Sequence, residues 1–458
     1  IKLKDSGGDT MTKRYQNIVV GFGKGGKTLA KFLATHHEEV LVIEQSNQMY
    51  GGTCINIGCL PSKNLILNGQ RNVPFTEAVS RRGEMTDQLR NKNYHMLADE
   101  PTITVVDGKA TFTGNHQISV RKTDGTEVTV EGERIFINTG AQPIIPDISG
   151  LHLGERIVTS KEAMTLPSLP KRLAILGGGH IGLEFAEMFN SYGSDVTIFD
   201  HHDQLLGRTE PEAAKLVATD LKESDINVKL NSELQSVRST DHDVVISYRQ
   251  NGQTSEQEFD VLLVATGRQP NTANLGLNNT DIELTKRGAI KVDQYLKTTV
   301  DNVWALGDVN GGPQFTYISL DDFRIVKDQL FGDGQRTTAD RNVVPHSTFI
   351  TPPLSSVGMT EEEARRAGKK VMVFKLMANA IPKARVIEDQ RGIFKAIVDQ
   401  DSHEILGATI YAEESHELIN TVALAMKGHL PYEMLRDMIY THPTMAEAFN
   451  DLFKQPIK

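Results

Sequence analysis

Asn17-Ile18-Val19-Val20-Gly21-Phe22-Gly23-Lys24-Gly25-Gly26 is an apolar run that leads directly into a G-x-G-x-x-G turn. A helical pattern follows over residues 27–35, and a second apolar run, 40–43, ends at Glu44. Strand, glycine turn and helix in this order predict a βαβ unit that binds a dinucleotide. The glycines allow a tight turn and a close approach of the backbone to a pyrophosphate, and Glu44 falls where a ribose hydroxyl needs an acceptor.

The same turn fits a second motif, because residues 21–28 also match G-x-x-x-x-G-K-T, the phosphate loop of nucleoside triphosphatases. A repeat further along the chain separates the two interpretations. The apolar run 173–176 leads into Gly177-Gly178-Gly179-His180-Ile181-Gly182, a helical pattern follows over residues 183–192, and the next apolar run ends at Asp200. The first glycine and the closing acid are 23 residues apart in both copies, and only the first copy ends in Lys-Thr. The sequence therefore predicts two dinucleotide sites and leaves the triphosphatase as the less favoured alternative.

Each predicted unit belongs to a larger module, in which short alternating strands interrupt the dinucleotide fold and an apolar strand ending in Thr-Gly closes it. The closing strands are 134–140 and 261–267, and a helix is predicted over 75–97. The first insertion contains strands predicted at 102–106, 110–113, 118–120 and 128–130. From residue 343 onward no glycine-rich turn occurs, and the predicted elements are strands at 371–376, 394–398 and 405–410 and helices at 415–427 and 432–439. A compact unit without a ligand signature is often an oligomerisation domain.

These patterns predict an α/β protein with two Rossmann-like dinucleotide-binding domains and a C-terminal α+β dimerisation domain. We place the first dinucleotide domain at 11–150, the second at 151–271, a central segment that completes the first at 272–341, and the dimerisation domain at 342–458. Residues 1–10 precede the first methionine and are interpreted as a remnant outside the fold.

The overall composition disfavours several classes of function. A net charge of −10 argues against binding to nucleic acid or to an anionic membrane surface. No apolar run approaches the roughly 20 residues that a membrane span needs, and no signal-peptide pattern is present. Because the chain contains only two cysteines, the expected compartment is the cytoplasm.

Both cysteines lie in Gly51-Gly52-Thr53-Cys54-Ile55-Asn56-Ile57-Gly58-Cys59-Leu60-Pro61-Ser62-Lys63. A disulfide that closes so small a loop would stabilise a fold little, so two unrelated buried thiols and a reversible redox disulfide are the interpretations to weigh. Near the C-terminus His442 precedes Pro443, and Thr444 and Glu447 fit a helix capping box. A loop histidine and a capping glutamate have a purely structural interpretation. Only their occurrence together with a redox disulfide and two dinucleotide sites would favour a catalytic role instead.

Together these motifs resemble the class I flavoprotein pyridine nucleotide-disulfide oxidoreductases, which include glutathione reductase, dihydrolipoamide dehydrogenase and mercuric reductase. The resemblance rests on G-G-T-C-x-N-x-G-C-x-P-S-K after a first dinucleotide unit, a second such unit, a Gly-Asp strand end at 307–308 and a late H-P-T-x-x-E. The stretches 22–24, 136–140 and 315–322 most resemble the reactive-chlorine-resistance branch. Members of that branch are associated with oxidative stress and with the reduction of metal ions such as Cu(II).

The resemblance implies FAD in the first site and NADH or NADPH in the second. It assigns the flavin nucleotide to Gly21, Gly23, Gly26, Glu44, Gly52, Thr53, Lys63, Ala110, Thr139, Gly140, Gly307 and Asp308, and the nicotinamide nucleotide to Gly177, Gly179, His180, Gly182, Asp200 and Gly267. It implies a redox disulfide in which Cys59 faces the flavin as a thiolate and Cys54 meets the substrate. Lys63 and Glu184 would pair beside the flavin. His442 would act as a general acid/base oriented by Glu447, both supplied by the partner subunit of a homodimer.

Two residues bear on the nicotinamide site. His180 stands where many relatives have a tyrosine, and we hypothesise a more open, pH-sensitive pocket. Asp200 favours NADH, because a carboxylate accepts a hydrogen bond from a 2′-hydroxyl and repels a 2′-phosphate. The flanking His201 and His202 could soften that preference.

The predicted function is that of an NAD(P)H-dependent flavoprotein reductase that uses the Cys54–Cys59 disulfide. The acceptor is expected to be a metal ion such as Cu(II) or Hg(II), or an oxidant of oxidative or reactive chlorine stress. No dedicated metal-binding cluster is apparent, so a substrate ion would meet Cys54, Cys59 or the flavin. The alternatives are a low-molecular-weight disulfide reductase and a redox-sensing disulfide protein that reports oxidant to a partner.

Overall fold

The computed structural model describes residues 12–457, and the remnant predicted at 1–10 lies outside them. The strands, in chain order, are β1 (Lys13–Val20), β2 (Val40–Glu44), β3 (Ile103–Phe112), β4 (Gln117–Lys122), β5 (Glu127–Ile137), β6 (Ala141–Pro143), β7 (Ile157–Val158), β8 (Arg172–Leu176), β9 (Asp195–Phe199), β10 (Asn227–Lys229), β11 (Ser232–Ser239), β12 (Val244–Gln250), β13 (Gln253–Phe259), β14 (Val261–Val264), β15 (Arg268–Pro270), β16 (Val303–Ala305), β17 (His346–Thr348), β18 (Leu354–Gly358), β19 (Val371–Met377), β20 (Ile393–Asp399) and β21 (Ile405–Tyr411). The α-helices are α1 (Lys24–Thr35), α2 (Thr53–Asn56), α3 (Cys59–Gln70), α4 (Phe75–Ala98), α5 (Ser160–Ala163), α6 (His180–Ser191), α7 (Pro211–Glu223), α8 (Thr316–Phe331), α9 (Glu361–Arg366), α10 (Pro382–Val386), α11 (Ser415–Lys427), α12 (Tyr432–Asp437) and α13 (Ala448–Leu452).

The chain forms two compact units, each assembled from separate stretches of sequence. The first unit consists of the residues up to Asn64 together with Val79–Ile144 and Gly267–Asp340. The second consists of Leu65–Ala78, Ile145–Thr266 and the residues from Arg341 onward. Each unit contains one of the two glycine motifs.

The first unit is built on a sheet in which β3, β2, β1, β5 and β16 pair in parallel in that order. Ile18 lies opposite Ile135, and Val19 lies opposite Phe136. Because successive side chains of a strand point to opposite faces, the first pair enters one apolar cluster and the second pair enters another. A sheet buried on both faces explains why its strands read as continuous apolar runs.

The structure corrects the short strands predicted in the first insertion. The strands predicted at 102–106 and 110–113 form one strand, β3, which pairs in parallel with β2 in its first half and antiparallel with β4 from Gly108 onward. In the same way β5 joins the strands predicted at 128–130 and 134–140, pairing first with β4 and then with β1. The Asp107-Gly108 break in the apolar pattern therefore marks a change of partner within one strand.

The second unit contains a parallel sheet, β10-β9-β8-β14-β7, and an antiparallel insertion, β11-β12-β13. Its C-terminal sheet is antiparallel, with the order β17-β18-β21-β20-β19. Phe394 of that sheet packs with Ile419 of α11 and Phe449 of α13 in one apolar cluster. The predicted α/β fold, with two Rossmann-like sheets and a C-terminal α+β domain, is confirmed.

Some helix boundaries differ from the predicted ones. α1 and α6 begin at Lys24 and His180, before the predicted starts at 27 and 183, because each glycine turn leads directly into the first helical turn. α12 ends at Asp437 because Met438 has an extended backbone, with φ −66° and ψ 147°. Among residues 12–457, no helix combines the length and the apolar character that a bilayer crossing requires.

Candidate active site

The cysteine stretch forms a tight turn followed by two helices. Gly51 and Gly52 have φ values of +95° and +82°, a region that residues with a side chain rarely adopt. A Cβ atom at Gly52 would also lie 2.8 Å from the Cα atom of Gly23, so the turn lies directly against the first glycine motif. Cys54 then falls in α2, and Cys59 begins α3.

Cys54 and Cys59 are free thiols that share a hydrogen bond. That bond lowers the pKa of Cys54 to about 6, helped by hydrogen bonds from Thr316 and from the Leu60 N–H group and opposed by burial. The same bond, together with burial, raises the pKa of Cys59. At neutral pH the pair therefore carries one proton and one negative charge, which these contacts favour on Cys54. The role of Cys59 as the thiolate that faces the flavin remains a prediction.

Lys27, in the first turn of α1, places a cation beside this dithiol. Its side chain is buried, and Nζ donates to the carbonyl oxygen of Gly51 (3.4 Å) and to Oδ1 of Asn93. Burial and the neighbouring Lys24 lower the pKa of Lys27 to about 8, and the charge of Cys54 opposes this shift. Lys27 is therefore mostly charged at pH 7, and its charge lowers the pKa of Cys54. Sequence reasoning noted Lys27 only as part of the alternative triphosphatase motif.

Lys27→Met is expected to raise the pKa of Cys54 above about 6, because the thiolate loses a neighbouring cation. The pH dependence of Cys54 alkylation by iodoacetamide, followed by peptide mass spectrometry on the reduced protein, measures this pKa. Lys24→Met is the matched control, since Lys24 exerts no resolved effect on Cys54. An alkylation midpoint that is the same in the Lys27 variant and in the wild type would contradict this role.

The first glycine motif is stabilised by the acid that closes its βαβ unit. A side chain at Gly21, where φ is +99°, would collide with the carbonyl group of Asn138. Oε2 of Glu44 accepts a hydrogen bond from the Phe22 N–H group (3.0 Å), and burial raises the pKa of Glu44 to about 7. α1 begins after Gly23, which makes no side-chain capping bond. A glycine cradle that leads into a helix N-terminus, with an acid at the next strand end, fits the diphosphate and ribose of a dinucleotide.

Two residues that sequence reasoning did not assign hold this motif in place. Oδ1 of Asn138 accepts a hydrogen bond from the Gly26 N–H group (2.9 Å), and Nδ2 donates to the carbonyl oxygen of Leu306 (2.6 Å). Oγ of Ser319 accepts from the Gly25 N–H group (3.0 Å). The sequence does contain an indication for Asn138, because this polar residue directly follows the buried strand β5. No pattern in the sequence links Ser319 to the glycine motif, since Ser319 lies in α8, far from Gly25 along the chain.

The other residues assigned to the flavin nucleotide belong to strands, helices and connections of the first unit. The Gly307 N–H group donates to Oδ2 of Asp322 (2.6 Å), and burial raises the pKa of the neighbouring Asp308. Oγ1 of Thr139 donates to the carbonyl oxygen of Asn271 (3.0 Å). The remaining positions are Thr53 at the start of α2, Lys63 in α3, Ala110 in β3 and Gly140 just after β5.

The second glycine motif repeats the construction of the first. A side chain at Gly177, where φ is +115°, would collide with the carbonyl oxygen of Ala265. Oδ2 of Asp200 accepts a hydrogen bond from the Gly178 N–H group (2.6 Å), as Glu44 does from the corresponding residue of the first motif. α6 begins after Gly179, again without a side-chain capping bond. The other assigned glycines are Gly182 in α6 and Gly267, where φ is +112°.

His180, the first residue of α6, is held by β17. Its Nδ1 atom hydrogen-bonds to Oγ1 of Thr348, and its ring lies 5.8 Å from the ring of His346 at an interplanar angle of 87°. Burial and the charge of His180 lower the pKa of His346 to about 4, so His346 is neutral at physiological pH. The imidazole at the position of the usual tyrosine is therefore fixed by a side-chain contact.

The structure forms one of the two predicted side-chain pairs within a single unit. Nδ1 of His442 lies 2.8 Å from Oε2 of Glu447, and the imidazole is exposed while the carboxylate is largely covered. Thr444 and Glu447 make the two reciprocal hydrogen bonds of the predicted capping box, but α13 begins only at Ala448, so these bonds close a turn that precedes the helix. Glu184 accepts a hydrogen bond from a backbone N–H group of its own unit (2.9 Å). Lys63 belongs to the other unit, and its pairing with Glu184 remains a prediction.

Comparisons with known proteins identify the family of this chain. The family model for pyridine nucleotide-disulphide oxidoreductases matches residues 15–322, and the model for the dimerisation domain of these enzymes matches residues 344–453. The chain is 48% identical over 440 residues to the probable pyridine nucleotide-disulfide oxidoreductase RclA of Escherichia coli K12, covering 96% of this chain and 99% of that protein. It is 32% identical over 451 residues to a mercuric reductase of Lysinibacillus sphaericus, covering 95% of this chain and 81% of that protein. It is 30% identical over 466 residues to a dihydrolipoyl dehydrogenase of Corynebacterium glutamicum, covering 96% and 97%.

Solved structures give the same result. The Cu(II) complex of HOCl-induced flavoprotein disulfide reductase RclA from Escherichia coli superposes with a TM-score of 0.93 at 48% identity, covering 97% of this chain and 99% of that one. These matches confirm the predicted resemblance and the predicted class of enzyme. The chain therefore belongs to the pyridine nucleotide-disulphide oxidoreductase family of FAD-dependent enzymes and is a flavoprotein oxidoreductase with a C-terminal dimerisation domain.

Proposed function

We propose that this chain is an NADH-dependent flavoprotein that works as a homodimer and passes electrons through Cys54 and Cys59 to a metal ion such as Cu(II), or to an oxidant of reactive chlorine stress. The hydrogen-bonded thiol pair, with the lowered pKa of Cys54, is the observation that carries the proposal. A Cu(II) complex of a relative with 48% identity supports the choice of copper. The domain limits given above are part of this proposal.

FAD would be held by the first glycine motif. The glycine turn before α1 would receive the pyrophosphate, Glu44 the ribose hydroxyls, and Asp308 a hydroxyl of the flavin side chain. When bound, FAD supplies hydride uptake from the reduced nicotinamide and returns the electron pair to a disulfide. The second glycine motif and Asp200 would hold NADH in the same way.

The chemistry of the chain's own residues then centres on the dithiol. A Cys54 thiolate and a Cys59 thiol lose two electrons and one proton and form one S–S bond. Two Cu(II) ions take one electron each and leave as Cu(I). A thiolate suits this reduction because it is a soft ligand that favours the Cu(I) product, and a pKa of about 6 keeps Cys54 ionised at neutral pH. His442 of the partner subunit would accept the proton.

A second candidate function is the reduction of a low-molecular-weight disulfide. The observation that favours it is the hydrogen bond between His442 and Glu447 (2.8 Å). Disulfide exchange needs a proton donor for the leaving thiolate, and an exposed imidazole oriented by a carboxylate provides one. One-electron transfer to a metal ion has no such requirement.

An acceptor panel under saturating NADH distinguishes the two functions. The FAD-loaded protein would be supplied separately with Cu(II), Hg(II), oxidised lipoamide and glutathione disulfide, after an anaerobic NADH titration has shown that the disulfide is reduced. We expect turnover with Cu(II). Turnover with the disulfides alone would contradict the metal-ion proposal and establish the second candidate.

Asp200 is expected to make kcat/KM for NADH at least about tenfold higher than for NADPH, a difference of about 1.4 kcal/mol. The physical reason is repulsion between its carboxylate and a 2′-phosphate. Asp200→Ala should lower kcat/KM for NADH and narrow this ratio. Measuring flavin reduction by each dinucleotide provides the test, and an NADPH preference in the wild type would overturn the assignment.

His180→Tyr is expected to lower the affinity for NADH, because the larger side chain would compete with the nicotinamide for space at the flavin. It is also expected to flatten the pH profile of flavin reduction near neutrality, because a titratable ring is replaced by a phenol. Stopped-flow reduction across the range of pH measures both effects. Thr348→Val is the companion variant, since it removes only the hydroxyl that holds the imidazole. Unchanged profiles in both variants would remove His180 from the nicotinamide pocket.

A further inference from the structure

Three consecutive side chains at the end of β9 form a cluster of metal-binding groups. Asp200 is buried, and its Oδ2 atom is already bonded to the Gly178 N–H group (2.6 Å). Its Oδ1 atom lies 2.7 Å from Nδ1 of His202 and 3.9 Å from Nδ1 of His201. One ligand atom from each of the three residues lies within 4.8 Å of the others.

The backbone holds this cluster rigidly. The Asp200 N–H group donates to the carbonyl oxygen of Lys229 (3.0 Å), and the Ser232 N–H group donates to that of Asp200 (2.9 Å). The Asn231 N–H group donates to the carbonyl oxygen of His202 (2.8 Å). Because both ends of the turn are fixed to the next strand region, the three side chains are presented together before any ion binds.

We propose that Asp200, His201 and His202 bind a divalent transition-metal ion such as Zn²⁺ or Cu²⁺, and that this ion and the dinucleotide exclude one another. Two imidazoles and one carboxylate are the ligands that these ions prefer. The imidazoles are 72% and 60% exposed, which leaves room for water molecules to complete the coordination. The metal site stands on the cluster alone, whereas the exclusion rests on the proposed role of Asp200 as the ribose acceptor.

This exclusion has a consequence for a copper reductase. A Cu²⁺ ion at Asp200 would occupy the carboxylate that the ribose needs, so excess Cu²⁺ would slow its own reduction. The inhibition would be competitive with NADH, because the two bind the same oxygen atoms. Cys54 and Cys59 belong to the other unit and are not ligands of this site.

Zn²⁺ is a suitable probe because it is not reduced. Calorimetric titration would use the FAD-loaded Cys54→Ser/Cys59→Ser protein, in which no thiol competes for the ion. We expect His201→Gln/His202→Gln to weaken Zn²⁺ binding by at least about tenfold. The matched control is His36→Gln/His37→Gln, which alters another exposed histidine pair and should retain full affinity. Equal affinity in the His201/His202 variant and its parent, or an equal loss in both variants, would overturn the metal site.

Addition of NAD⁺ tests the exclusion separately. In the same thiol-free protein we expect saturating NAD⁺ to weaken Zn²⁺ binding. We also expect Zn²⁺ to raise the NADH concentration that gives half-maximal flavin reduction, without lowering the maximal rate. Zn²⁺ binding that NAD⁺ does not affect would overturn the exclusion while the metal site stands. If NAD⁺ still binds with unchanged affinity in Asp200→Ala, the proposed ribose contact fails independently of the metal.

Discussion

Cys59→Ser and Cys54→Ser are each expected to lower NADH-dependent reduction of Cu(II) or of a disulfide by about a thousandfold, because one remaining sulfur atom cannot form the reversible S–S bond. Reduction of ferricyanide, which takes electrons from a flavin without a thiol, should persist in both variants. The comparison of these two activities measures the contribution of the dithiol directly. The shared hydrogen bond also predicts a difference between the variants. Cys59→Ser removes the largest cause of the lowered pKa of Cys54, so the alkylation midpoint of Cys54 should rise above 6.

Leu67→Ala provides the control for the cysteine variants. Leu67 lies on α3, the helix that Cys59 begins, and is 43% exposed. Its replacement should leave both activities near the wild-type values. Cu(II) reduction at the full rate in both serine variants would contradict the relay and assign the reduction of the metal ion to the flavin itself.

Lys395→Met is expected to lower the free energy of unfolding by about 3–5 kcal/mol, because it leaves the buried carboxylate of Glu210 without a cation. Nζ of Lys395 lies 3.0 Å from Oε2 of Glu210 and 2.8 Å from Oε2 of Glu361. The side chains of Lys395 and Glu210 are only 5% and 4% exposed. Chemical denaturation of the FAD-loaded protein, followed by far-ultraviolet circular dichroism, measures the change.

The neighbouring strand supplies a matched control. Lys375 lies directly opposite Lys395 in the β19–β20 register, and its Nζ atom lies 2.5 Å from Oε2 of Glu212 at the partly exposed surface. Lys375→Met should cost at most about 1 kcal/mol, because surface ion pairs contribute little. An equal decrease in the free energy of unfolding in the two lysine variants would contradict the importance of burial.

The same cluster predicts how stability depends on pH. The hydrogen bond from Lys395 lowers the pKa of Glu361 below its usual 4.5, so the stability that Glu361 contributes is present above that value and is lost as the pH falls. Burial lowers the pKa of Lys395, but Glu361 and Glu210 outweigh burial and raise it above 10.5. The stability that Lys395 contributes is therefore lost only as the pH rises past 10.5. The difference in the free energy of unfolding between wild type and Lys395→Met should be greatest between pH 4.5 and pH 10.5.

Much of the fold could be predicted because its signals are local. The glycine turns at Gly21 and Gly177, and the acids 23 residues beyond them, encode each βαβ unit within one short stretch. The 51–63 stretch likewise carries both cysteines and the glycines of their turn. Strand lengths in the first insertion were not predictable, because β3 and β5 continue through apparent breaks only where distant strands offer new hydrogen-bond partners.

The sequence by itself determined the family, the two dinucleotide motifs and the pair of reactive sulfur atoms, since each of these depends on neighbours along the chain. Only the tertiary structure showed that Ser319 and Asn138 hold the first glycine motif and that Lys27 lies beside Cys54. It also decided the protonation of the thiol pair and the burial of Lys395 between Glu210 and Glu361. Hydrogen bonds and charges act through space between residues far apart in the chain, and burial sets their strength.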